Sequence, residues 1–133
     1  MAVFPEPGWL EAFRGKVAAD PEMRLVGEWF STALSLTFGN VRYVLRVEKG
    51  EIREIVPNPR LDVRCAFGFR APLDVWRKFI SPEPPPLYHD FFAMLMRVPA
   101  FVLEGDGLVA MQNARALHRM MNLMRGVGGG EHA

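Results

Sequence analysis

Hydrophobic and polar positions along this chain switch between two periods, and the switches mark out its elements. Trp9, Leu10, Phe13 and Val17 recur at spacings of one, three and four, which predicts a short amphipathic helix opening after Pro7-Gly8. Asp20-Pro21-Glu22 predicts a second helix start. Asp20 can accept a bond from an orphan backbone N–H, Pro21 suits the first helical position, and the acidic pair favours the positive end of the dipole. Met23, Val26 and Gly27 then face inward. From Glu28 the period becomes two. Leu34, Leu36 and Phe38 alternate with Ser35 and Thr37, and Gly39-Asn40 supplies a hairpin turn. On the return strand Val41, Tyr43, Leu45 and Val47 share one face, with Arg42, Arg46 and Glu48 on the other beside Val44. Lys49-Gly50 turns the chain again. A third strand follows in which Ile52, Glu54 and Val56 alternate less cleanly with Arg53 and Ile55, until Pro57-Asn58-Pro59 ends it.

A fourth strand is expected from Arg60, with Leu61, Val63, Cys65, Phe67 and Phe69 pointing one way. The strands together suggest an antiparallel meander, with the pairing order left open. Leu73, Trp76, Phe79 and Ile80 predict a helix, after which Ser81-Pro82-Glu83-Pro84-Pro85-Pro86 can be neither helix nor central strand. That loop reads as a stiff connector or as a rim beside a pocket. Leu87, Phe91, Met94, Leu95 and Val98 predict another helix, stopped by Pro99, with His89 and Asp90 as neighbours on it. The last section is a strand over Phe101–Leu103, a Glu104-Gly105-Asp106-Gly107 corner and one long terminal helix. On that helix Ala110, Ala114, Leu117, Met120, Met121 and Met124 form an apolar stripe, while Gln112, Arg115, His118, Arg119 and Asn122 turn away. The glycine-rich 126–133 reads as a flexible tail.

Composition narrows the choices. The 133 residues suit one domain, 1–133, with its core over about 9–125. A formal net charge of +1 provides no strong field for nucleic acid, and the basic residues are dispersed. Cys65 is the lone cysteine, so a disulfide within the chain and a cysteine metal site are both excluded, and no His or carboxylate spacing suggests a metal or a cofactor. No apolar run is long enough to span a bilayer and the N-terminus lacks a signal-peptide pattern, so a cytoplasmic protein without a transmembrane segment is expected, with transient membrane contact left open. Oligomeric state is not legible.

The order of elements, and three stretches in particular, resembles the sterol carrier protein 2 superfamily of sterol-binding domains. These are VRYVLRVEKGEI (Val41 to Ile52), LDVRCAFGFRAPLDVWRKFI (Leu61 to Ile80) and AFVLEGDGLVAMQNARAL (Ala100 to Leu117). The resemblance runs from about Leu10 to Arg125. It implies an α/β (α+β) domain with a five-stranded, largely antiparallel sheet covered by helices and an apolar tunnel between them. It also implies binding of a sterol, fatty acid or fatty acyl-CoA, often without catalysis. The chain departs from the family pattern at SPEPPP and the bulky FFAMLMRV run, where many members carry a glycine- and lysine-containing turn followed by small residues.

A lipid site needs apolar walls with few polar contacts, and methionine suits such a wall because an unbranched thioether repacks around varied shapes. The expected lining is Phe79, Phe91, Phe92, Leu95 and Met96 from the middle helices and Leu117, Met120, Met121 and Met124 from the terminal one. Each of these also suits an ordinary core. Asn113 projects toward the apolar stripe, where its amide must find either a ligand oxygen or a backbone partner. Arg60, Arg70 and Arg77 are candidates for the phosphates of an acyl-CoA, or simply solvated. The alternative is a small enzyme acting on a hydrophobic metabolite, with His89 or Asp90 as acid or base. Adjacent helical residues diverge by about 100°, so those two form no oriented dyad by themselves. A third option is an accessory subunit docking through exposed apolar surface.

Overall fold

The computed structural model describes residues 3–60 and 63–127. Its elements run α1 (Pro7–Ala19), α2 (Pro21–Val26), β1 (Thr32–Phe38), β2 (Val41–Glu48), β3 (Glu51–Pro57), β4 (Phe67–Ala71), α3 (Leu73–Ile80), α4 (Phe91–Arg97), β5 (Val102–Gly105), α5 (Gly107–Gln112) and α6 (Ala114–Asn122), closed by a 3-10 turn over Leu123–Gly126. The five strands form one sheet in the order β3-β2-β1-β4-β5. Three pairings are antiparallel, and β1 with β4 is parallel. The meander therefore holds for the first three strands, and the fourth returns beside the first.

Period-2 alternation puts Leu34, Leu36 and Phe38 on the helix-facing side, and register lines them up with core residues of both neighbours. One row crosses the sheet as Tyr43, Leu36, Phe69 and Leu103. Ser35 and Thr37 face the other way and are still buried on this central strand, Thr37 in register between Arg42 and Arg70. The third strand reads unevenly for a physical reason. A bulge sets Arg46 opposite Glu54 but Val47 opposite Ile52, so Arg53 is the extra residue and Ile52 and Ile55 end up against the core together. Lys49 and Gly50, both at positive φ, make the tight turn before it.

Aromatic rings fill the space between sheet and helices. Phe101 stacks on Phe69 with 5.7 Å between centroids and meets Trp76 edge-on at 5.3 Å. From α1, Trp9, Leu10, Phe13 and Val17 are all buried in the same core. Asp20 caps α2 as its position suggests, accepting from the Met23 amide at 2.8 Å. It also takes a two-pronged bond from Arg119 on α6, with Nε to Oδ2 at 2.9 Å and Nη2 to Oδ1 at 2.6 Å. That pair ties the two ends of the chain together.

Three expectations change. The fourth strand starts at Phe67, not near Arg60. Residues 63–66 are irregular, Cys65 is only half-buried, and Leu61 lies outside the described residues. His89 and Asp90 precede α4, and Asp90 is its N-cap, accepting from the Phe92 amide at 2.9 Å. The terminal helix is broken at Asn113, where φ −112° and ψ 26° leave the helical region. Beyond the break Leu117, Met120, Met121 and Met124 are buried as the stripe predicts, with Ala116 buried as well and Ala114 only half-buried. Of the expected tail, 128–133 lies outside the described residues. No helix among the described residues is long and apolar enough to cross a membrane.

Candidate functional site

The apolar face of the sheet is not covered to its edge. Where the row through Phe69 reaches Leu103 on β5, the helices leave a groove of about 640 Å3, open to solvent. Its walls are Phe92, Leu95 and Met96 from α4, Phe101, Val102 and Leu103 from β5 and the approach to it, and Gly107 and Met111 from α5. No titratable side chain lines it. The local sequence explains the opening. Asp106 accepts from the amides of Leu108 and Val109 at 3.1 and 3.2 Å, which starts α5 directly after the β5 edge. Gly105, at φ +80°, makes the corner, and a side chain there would collide with the Ala66 carbonyl.

The expected lining residues fall into two sets. Phe92, Leu95 and Met96 border the groove. Phe79, Phe91, Leu117, Met120, Met121 and Met124 instead have no accessible surface. A side chain without accessible area borders no void able to admit a water molecule, so in this conformation these six fill the interior. Asn113 is bound to its own helix, its Nδ2 donating to the Val109 carbonyl at 2.9 Å. That back-bond to the preceding turn accompanies the break between α5 and α6. Arg70 pairs with Glu104 at 3.2 Å on the opposite face of the sheet, and neither Arg60 nor Arg77 lines the groove.

The candidate acid–base residues part company. His89 is exposed. Asp90 faces His118, with 3.7 Å between Oδ1 and Nε2, and the His118 ring lies flat along Phe92 at 6.3 Å. The other ring nitrogen, Nδ1, is 3.5 Å from Asn122 Nδ2. With a neighbour at each nitrogen, the imidazole links α6 to the α4 cap and presents no free nitrogen to the groove. Among the described residues no group of three or more His, Cys, Asp or Glu side chains is placed to hold a metal ion.

Sequence reasoning gave Arg119 and Arg125 no role, and both hold the frame. Arg125 donates to the carbonyls of Phe79 at 2.7 Å and Tyr88 at 3.0 Å, fastening the proline-rich loop and the end of α3 to the 3-10 turn. Its guanidinium also lies 4.6 Å over the Phe79 ring, and burial pushes its pKa down from the ordinary arginine value. The Arg119 guanidinium holds the Asp20 carboxyl below its usual range against the opposing effect of burial, helped by the Met23 amide. The only signal for these partners was an arginine on the polar side of an amphipathic helix, which is also what a solvated residue looks like.

No family model matches the chain, and no curated protein matches it by sequence. Solved structures do match. A crystal structure of sterol carrier protein 2 aligns over 91% of this chain and 96% of its own, at 19% identity and a TM-score of 0.73. A conserved hypothetical protein from Thermus thermophilus aligns over 98% and 93%, at 20% identity and a TM-score of 0.74. Sterol carrier protein 2 from Yarrowia lipolytica in its apo form is more distant, covering 86% and 88% at 7% identity and a TM-score of 0.53. Superposition across nearly whole chains at TM-scores of 0.73 and 0.74 gives this protein, with its five-stranded sheet, the sterol carrier protein 2 fold.

Proposed function

We propose that this protein is a cytoplasmic carrier that binds, and passes on, a hydrophobic small molecule such as a fatty acid, a fatty acyl-CoA or a sterol. The reading rests on one observation, the groove between α4, β5 and α5, whose walls are apolar and whose volume of about 640 Å3 suits a lipid-sized guest. Burial of each methylene contributes about 0.8 kcal/mol, so an eight-carbon segment contributes roughly 6 kcal/mol before the cost of association is subtracted. Phe92, Leu95 and Met96 would meet the chain of the guest directly. Phe79, Phe91, Leu117, Met120, Met121 and Met124 would act from behind as the packed floor, and would join the lining only if a longer guest parted them. The fold likeness to sterol carrier protein 2 supports the same class of ligand. The unit that carries the activity is the single domain over about 9–125.

The competing reading, chemistry at His89 or Asp90, loses support from the geometry. Asp90 is engaged as a helix cap, His89 is exposed, and neither lines the groove. The test is displacement of an environment-sensitive fatty acid analogue in lipid-free buffer. Saturable binding that Leu95→Trp weakens by about ten-fold or more, by filling the groove, is the expected result. Equal binding by the variant, or none by the parent protein, would remove the reading.

A further inference from the structure

The chain carries eight methionines, and their exposure is sharply divided. Of the seven among the described residues, Met23, Met94, Met120, Met121 and Met124 are at most 1% exposed, whereas Met96 is 83% and Met111 42% exposed. The two accessible methionines are also the two that line the groove between α4, β5 and α5. Among the described residues, then, a water-borne oxidant meets methionine only along this wall. Cys65, the one thiol, is half-buried and lines a separate recess on the opposite face of the sheet, with Arg42 and Arg70.

A thioether and its sulfoxide differ little in size and greatly in polarity. A peroxide transfers one oxygen to the methionine sulfur: the sulfur lone pair forms the new S–O bond as the O–O bond breaks, and the second oxygen leaves as water. The sulfur is oxidised by two electrons and the peroxide is reduced by two. The remaining wall residues, among them Phe92, Leu95 and Leu103, offer the sulfoxide no hydrogen-bond donor from their side chains. A hydrocarbon guest lying over it would strip its water and return nothing. Met111 bears more of this effect, because it is already half-covered, while Met96 can turn its tip into solvent. The buried methionines lie out of reach of the oxidant, so the packed interior keeps its thioethers and the fold its stability.

We propose that Met96 and Met111 are an oxidation switch on the groove: a peroxide converts both to sulfoxides while the packed methionines are spared, and the polar wall then lowers affinity for a hydrophobic guest. The proposal rests on the groove being the ligand site. Reduction of the two sulfoxides by a methionine sulfoxide reductase reverses the change.

The test treats the full chain, carrying Cys65→Ser to remove the thiol, with hydrogen peroxide in lipid-free buffer and follows each methionine by peptide mass spectrometry. Peptides containing Met96 and Met111 should gain one oxygen well before those containing Met120, Met121 and Met124, with circular dichroism and Tm retained. Affinity for an environment-sensitive fatty acid analogue should fall by about five-fold or more and return on reductase treatment. The analogue bound beforehand should slow oxidation of Met111 more than that of Met96. In Met96→Leu/Met111→Leu, whatever its starting affinity, peroxide should change nothing. Unchanged affinity after oxygen has been added to both methionines would overturn the switch. So would oxidation of the buried methionines at the same rate, or an equal loss of affinity in the double variant. Those outcomes leave the groove as the binding site, whereas failure of the untreated protein to bind the analogue sinks the groove reading and the switch together.

Discussion

Two apolar regions built from the same residue types have opposite fates in this molecule. Met120, Met121 and Met124, on α6 and the 3-10 turn after it, are packed against Phe79, Phe91 and their neighbours with no accessible surface left. Met96 on α4 and Met111 on α5 are equally apolar but stand at the rim of an open groove. The difference lies in what faces each stripe. Helix α6 lies within the helical layer, backed by α2 and closed by the 3-10 turn, whereas α4 and α5 flank the edge strand β5, beyond which the sheet supplies no further row of side chains. Apolar character alone therefore does not separate a floor from a wall.

The sharpest way to break that contrast is truncation. Met121→Ala should destabilise the protein by about 2–5 kcal/mol in urea unfolding, because a cavity is left in a closed interior. Met96→Ala should stay within about 0.5 kcal/mol, because its side chain is already in water. Similar losses at both sites would mean that the groove closes in solution.

Next in size is the clamp that holds α6 in place. Asp20→Asn removes a charged partner from Arg119, and the loss should be about 2–3 kcal/mol at neutral pH. Because the folded Asp20 carboxyl is held below its ordinary 3.8, its contribution is complete above that pH and is lost as pH falls through the lower folded value. The stability difference between parent and variant should therefore shrink below about pH 4 in urea titrations, and a constant difference would mean that the ion pair contributes nothing. On the groove side, Leu95→Trp should cost about ten-fold in affinity for a fatty acid analogue with little change in Tm. Smallest is Asn113→Ala. It loses one bond to the Val109 carbonyl and gains helix propensity, so stability should stay within about 0.5 kcal/mol and ligand binding should not change. A loss of binding there would show that the amide meets the guest.

Legibility in the sequence followed how local the cause is. The Asp20 cap and the Lys49-Gly50 turn depend on residues a few positions apart, and both were readable. The uneven third strand was visible as a blemish, but its cause, the extra Arg53, needs the partner strand to be seen. Residues 63–66 misled because alternation continues there while a fifth strand pairs with β4 only from Phe67. Three of the expected wall residues, Phe92, Leu95 and Met96, border the opening, and their pattern is no different from that of the six that sit behind it.

By itself, then, the amino-acid sequence determined α1, α2, α3 and the first three strands, the side of each that is apolar, and enough of the element order to point to the sterol carrier protein 2 fold. Those features arise from period, capping and turn chemistry, which act within a few residues. Only the tertiary structure decided that β4 lies beside β1, that Arg119 reaches back across the chain to Asp20, and that the terminal stripe is filled while the β5 edge is open. Whether apolar surface is covered depends on which distant elements arrive against it, and that is a property of packing between elements rather than of any one stretch.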